Sequence, residues 1–151
     1  MQDIKDIFKT VDMLFQSCDI DYTLLKGYRL DEELFNDYDK QRVVNSFLFN
    51  YIKIQDKIGA KLFKNILFQL KEIDDFSVPM LDVLNILEKL EIIDSTENWD
   101  RLREIRNALA HEYPLDIDER IENIKMSMSS YEYLGKTFTR IKQYCTEKGL
   151  I

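Results

Sequence analysis

The 151-residue chain holds only four glycines, two prolines, two cysteines and one histidine. So few glycines and prolines leave little room for tight turns, and long elements with little punctuation read as helices. The two cysteines, Cys18 and Cys145, lie far apart in apolar helical patterns, so no disulfide framework is expected. They read as buried free thiols of a reducing compartment. No apolar run approaches a membrane span, and the opening MQDIKDIFKTVD carries acidic residues where a secretory leader needs basic ones. A cytoplasmic protein is therefore expected. With one histidine, no cysteine pair and no HExxH or DxD spacing, neither a metal site nor a cofactor is read from the chain.

What the chain does have is charge, 21 basic against 28 acidic residues, for a net of −7. That excess weighs against a general electrostatic grip on nucleic acid, because non-specific affinity scales with the phosphates neutralised by Lys and Arg. Any RNA would have to be held by a local basic patch. At this length the chain fits one domain, residues 1–151, able to bury a core without cross-links.

Helical periodicity runs almost throughout. Ile4, Ile7, Phe8, Val11, Leu14, Phe15 and Cys18 form a first stripe that ends near the polar stretch Cys18–Asp21, with Leu24, Leu25 and Tyr28 extending it or belonging to a connector. A longer helix is expected from about Asp37 to Lys71, with Val44, Phe47, Leu48, Tyr51, Ile54, Ile58, Leu62, Phe63, Ile66 and Leu70 inward. Gly59 in its middle costs roughly 1 kcal/mol against Ala, which suggests close packing against another backbone. Ser77-Val78-Pro79 starts a third helix carrying Met80, Leu81, Leu84, Leu87 and Leu90, Pro being tolerated in a first turn. Asp94-Ser95-Thr96-Glu97 offers side-chain caps for a fourth, Asp94 and Glu97 having capping-box spacing, and this helix runs to about His111 or Glu112 because Pro114 disfavours helical geometry at Tyr113. The last helix spans about Asp118 to Lys148, with Ile121, Ile124, Met128, Tyr131, Leu134, Phe138, Ile141 and Cys145 on one face and Gly149 as terminator. The expected fold is all-α, an up-and-down bundle of four to five helices.

One helix breaks its own pattern. At about 100° per residue, Trp99, Leu102, Ile105 and Leu109 form the apolar stripe of the fourth helix, and Arg106 falls inside it, roughly 40° from Leu102. A core-facing arginine is costly unless it is paired or faces a water-filled or intersubunit cleft. Asn107 and His111 sit on the adjoining flank, and Ala108 and Ala110 are small enough to admit another backbone or a substrate. Arg101, Arg103 and Arg106 together make a local basic group near Lys89. Two bland alternatives stay open: a helix-terminal His favoured by the helix dipole, and Arg106 in a buried ion pair.

The inventory suits phosphoryl chemistry without a metal. Histidine transfers protons near neutrality, arginine stabilises charge developing on a phosphate, and asparagine orients a phosphate or ribose. RNA cleavage by attack of a 2′-hydroxyl on the adjacent phosphate needs a base, an acid and a cation. One chain supplies one His, and a two-fold dimer that faces its fourth helices together supplies two.

The stretch Ile105-Arg106-Asn107-Ala108-Leu109-Ala110-His111-Glu112-Tyr113-Pro114 resembles the Arg-x4-6-His motif of HEPN-domain proteins, with Asn107 as the polar residue after Arg. Tyr113 extends it to Arg-x4-His-x-Tyr, similar to the HepT-like toxins of HEPN/MNT toxin–antitoxin pairs. The resemblance implies a dimeric endoribonuclease with Arg106 and His111 as catalytic residues, assisted by Asn107, in a cleft between protomers. It also implies a minimal nucleotidyltransferase as antitoxin partner, which adenylylates Tyr113 and so places negative charge beside Arg106. An aromatic plug at the helix end is the plain alternative for Tyr113. Two further readings of the chain are a non-catalytic docking or substrate-binding subunit of a nucleotidyltransferase, and a purely structural helical dimer.

Overall fold

A computed structural model describes residues 3–111 and 115–151, and every regular element among them is helical. Helix α1 spans Ile4–Lys26, and a short 3-10 turn covers Glu32–Asn36. Helix α2 is one continuous rod in three stretches, α-helical over Tyr38–Lys57, π-helical over Ile58–Leu62 and α-helical again over Phe63–Gln69. Helices α3, α4 and α5 follow as Met80–Lys89, Thr96–His111 and Ile117–Glu147. Among the described residues no helix is long and apolar enough to cross a membrane.

Local chemistry explains most of the boundaries. Asp3, Asp37 and Asp116 each accept a hydrogen bond from backbone N–H groups of the first turn that follows, satisfying donors with no partner inside the helix. At the other end of α5, Gly149 takes φ 72°, and the Leu150 N–H donates to the Cys145 carbonyl at 2.9 Å. This left-handed C-terminal motif is the termination expected from the sequence. The same motif ends α2 and α3 without glycine: Lys71 and Glu91 hold φ of 61° and 60°.

The boundary left open at α1 is resolved as an extension: the helix runs through Cys18–Asp21 to Lys26, taking in Leu24 and Leu25 and leaving Tyr28 in the connector. Tertiary contacts sustain it, because Leu25 is fully buried, Tyr22 stacks on Phe47 at 5.8 Å, and Asp21 accepts from Ser46 at 2.6 Å. Pro79 caps α3 from just outside its first turn, and Leu81 points outward at 60 % exposure while Val83 takes the buried place. The Asp94–Glu97 capping box does not form. Ser95 Oγ accepts from the Asn98 N–H at 3.0 Å instead, Asp94 is drawn to the Tyr133 hydroxyl, and Glu97 pairs with Arg101.

The helices pack around α2, which touches α1, α3, α4 and α5. α1 and α5 run antiparallel: Phe8 meets Phe138, Asp12 meets Lys142, Asp19 meets Tyr131 and Tyr22 meets Glu132. α2 and α4 are antiparallel too, with Phe63 against Trp99 and Asp56 against Arg106. One continuous core joins the helices, with Phe47, Tyr51, Ile54, Ile58, Leu62, Phe63 and Ile66 of α2 fully buried at its centre. Cys18 and Cys145 are buried free thiols, as their apolar settings suggested. Burial pushes each of them up to about 12.

Candidate functional site

Burial along α4 falls from its N-terminal to its C-terminal half. Trp99 and Leu102 are buried, Ile105, Arg106 and Leu109 are half-buried, and Asn107, Ala108 and Ala110 are exposed. Near the start of α4 the indole of Trp99 fills the space over Gly59, and a Cβ on Gly59 would meet Trp99 Cζ2 at 3.3 Å. The close approach expected at Gly59 is therefore to a side chain rather than a backbone. The π-helical stretch Ile58–Leu62 begins at this point, an insertion of the kind that redirects side chains and recurs at functional sites.

Two residues before that insertion, Asp56 receives Arg106. Arg106 Nε donates to Asp56 Oδ1 at 2.8 Å and Nη2 donates to Oδ2 at 2.7 Å, the two-pronged geometry of a guanidinium on a carboxylate. These bonds raise the guanidinium pKa further against a partial loss from burial, so the positive charge is secure. The arginine in the apolar stripe is thus paired, but not enclosed: its side chain is 29 % exposed and that of Asp56 48 %. Among the described residues Nη1 makes a long contact of 3.4 Å to Asn107 Oδ1.

Arg106 and Asn107 line a cleft of about 230 Å³ between α2 and α4, with Gln55, Asp56, Trp99 and Arg103 among the other walls. Gln55 is 4 % exposed, and its Oε1 has no hydrogen-bond partner among the described residues. A buried amide oxygen without a partner is costly, roughly 1–3 kcal/mol, unless water or a ligand donates to it. The cleft therefore offers a cation, two amides and an anchoring carboxylate around one apolar wall, a set suited to a phosphate and the hydroxyls beside it.

The structure brings Arg106 and Asn107 to one cleft. His111 ends α4, while its side chain and Tyr113 lie outside the described residues. The local basic group does not stand as expected: Arg101 pairs with Glu97 at 2.9 Å, Arg103 with Asp100 at 3.2 Å, and Arg106 with Asp56 at 2.7 Å. Each arginine brings its own counter-charge, so the helix presents directed donors with little net field. Two polar residues of the cleft escaped the sequence reading. Gln55 lies four residues after Tyr51 and three before Ile58, inside an apolar stripe, the same signal that exposed Arg106. Asp56 had no such mark.

Comparison of the chain with family models, with curated proteins and with solved structures finds no match.

Proposed function

We propose that this chain is a metal-independent endoribonuclease toxin, acting as a cytoplasmic homodimer and neutralised by a minimal nucleotidyltransferase that adenylylates Tyr113. The observation that carries the reading is Arg106, held by two hydrogen bonds to Asp56 at the edge of an open cleft, with Asn107 beside it and His111 at the end of the same helix. A preorganised cation is worth most where charge develops on a phosphate, because no reorganisation is needed during the reaction.

In this reading His111 takes the proton from a 2′-hydroxyl, whose oxygen attacks the adjacent phosphorus. The bond to the 5′-oxygen breaks, and the histidine of the second copy supplies a proton to that leaving group. The products are a 2′,3′-cyclic phosphate and a free 5′-hydroxyl. The dimer finds support in the size of the cleft, about 230 Å³, below the roughly 300–1,000 Å³ of sites that enclose a small ligand. Leu115, just beyond the motif helix and 95 % exposed, offers an apolar contact to a second copy. An AMP group on Tyr113 would add bulk and phosphate charge to the motif, competing with substrate phosphate.

The test is RNA cleavage in chelator by the wild-type protein beside Arg106→Ala and His111→Ala. A fall of at least about 100-fold in each variant is expected. Equal activity in all three, or none in any, removes the nuclease reading. Intact mass after co-expression with a nucleotidyltransferase should rise by AMP units that map to Tyr113.

A second reading, a non-catalytic docking subunit of a nucleotidyltransferase, is favoured by one specific observation. Arg101, Arg103 and Arg106 are all paired with acids on a chain of net charge −7, a surface that would steer a basic protein more readily than RNA. It predicts partner binding that survives Arg106→Ala, with no cleavage by the wild type.

A further inference from the structure

A second concavity lies on a different pair of helices. Between α1 and α5 runs a groove of about 680 Å³, within the range of small-ligand sites. Its floor is aromatic. Phe15 stacks on Phe138 at 5.2 Å and reaches Tyr131 at 5.7 Å, while Tyr131 meets Tyr22 at 5.0 Å. Its rim is acidic, formed by Asp12, Asp19 and Glu132, with Lys136 as a basic lining residue. Asp12 is paired with Lys142 at 2.7 Å. Asp19 and Glu132 accept instead from the hydroxyls of Tyr131 and Tyr22. A hydroxyl orients a carboxylate without cancelling its charge. Two of the rings already attract ammonium groups, Lys26 over Tyr22 at 4.9 Å and Lys142 over Phe138 at 5.8 Å.

An independent observation concerns Gly135, which lines the same groove in the middle of α5. A glycine inside a helix costs about 1 kcal/mol relative to alanine. At Gly59 the indole of Trp99 accounts for that cost, but at Gly135 nothing comparable does: an added Cβ would find only Phe15 Cε1, at 4.0 Å, an ordinary contact. The missing side chain keeps the groove open.

We propose that this groove binds a small organic cation, an ammonium carried on an apolar or aromatic body, with the rings of Phe15, Tyr22 and Tyr131 against the body and Asp19 and Glu132 about the charge. The occupant is argued from both halves of the groove together. Rings alone would take any apolar group, and carboxylates alone would take any hydrated cation, whereas the combination favours a weakly hydrated charge on a hydrophobic frame.

Titration calorimetry with three probes tests this: benzyltrimethylammonium, neutral benzyl alcohol and anionic benzoate. Saturable binding of the cation is expected, at least tenfold tighter than the other two. Gly135→Leu should abolish it by filling the groove. Asp19→Asn with Glu132→Gln should weaken it at least tenfold, since both amides still accept the tyrosine hydroxyls but carry no charge. His111→Ala should leave it unchanged, so the outcome is separable from any nuclease activity. Circular dichroism melts identify variants that fold, and Gly135→Met, whose unbranched side chain reaches into the groove with more freedom, serves if the leucine variant does not. No binding of the cation, equal binding of all three probes, retention of binding in folded Gly135→Leu, or binding of a basic peptide in place of the small cation would each overturn the proposal.

Discussion

Arg106 and Asp56, fifty positions apart in the chain, meet through two hydrogen bonds of 2.8 and 2.7 Å across the antiparallel pair α2 and α4. The pair reconciles a charged residue in an apolar stripe with the cost of burial. It also fixes where a guanidinium sits at the mouth of a cleft, so its contribution divides between stability and positioning.

Asp56→Asn separates the two. The pair is partly exposed, and such pairs contribute about 1 kcal/mol or less to stability. Urea unfolding should therefore change little. RNA cleavage under the nuclease reading should fall by roughly tenfold or more, as a loosened Arg106 loses preorganisation. A large loss of stability with cleavage intact would make Asp56 purely structural.

The two helix-interior glycines should respond in opposite directions to alanine. Gly59→Ala places a Cβ 3.3 Å from Trp99, which is 3 % exposed and held edge-on by Phe63 at 4.7 Å, so the indole has little freedom to yield. Overpacking should outweigh the helix-propensity gain and destabilise by about 1 kcal/mol. Gly135→Ala meets Phe15 at an ordinary 4.0 Å and should stabilise by about 1 kcal/mol. Chemical denaturation of the two variants side by side reads both signs.

Lys71 and Glu91 hold left-handed φ of 61° and 60° at helix ends, a conformation that costs roughly 1–2 kcal/mol for a residue with a Cβ. Both side chains are exposed, so little packing offsets the strain. Lys71→Gly and Glu91→Gly should each raise the midpoint of thermal unfolding, by an amount equivalent to about 1 kcal/mol.

Stability should decline in alkali. Burial raises the Cys18 and Cys145 thiols and the Tyr51 hydroxyl to about 12, because it disfavours the charged forms. The same groups in the unfolded chain lose their protons near 8.5 for cysteine and about 10 for tyrosine. Their contribution is therefore complete below about pH 8.5 and is lost as pH rises toward 12. Denaturation midpoints between pH 8 and 11 should fall accordingly. Thiol labelling at pH 8 should occur only on unfolding, and rapid labelling of the native protein would contradict the burial of both cysteines.

Much of this molecule was legible along the chain, because a helix is a local structure. The 3.6-residue spacing of Ile4, Ile7, Phe8 and Val11, or of Ile121, Ile124, Tyr131 and Leu134, needs no knowledge of what covers it. Asp37 before α2 and Gly149 after α5 act within a few residues of themselves, and the helix start expected near Asp37 and the terminator expected at Gly149 both stand. The anomaly of Arg106 was equally local, since its angle on the helix wheel depends only on its neighbours.

What tertiary structure decided was everything that depends on a distant partner. Whether α1 ran past the polar stretch Cys18–Asp21 was decided where Phe47 and Ser46 of α2 receive Tyr22 and Asp21. Asp94 abandoned a cap for the hydroxyl of Tyr133, thirty-nine residues away. Among 28 acidic residues, the partner of Arg106 was settled by the antiparallel register of α2 against α4, which sequence spacing does not encode. Capping and periodicity are contests within one turn of helix, and their outcome is written in adjacent side chains. Pairing across the bundle follows from how whole helices dock, which the sum of many buried contacts determines.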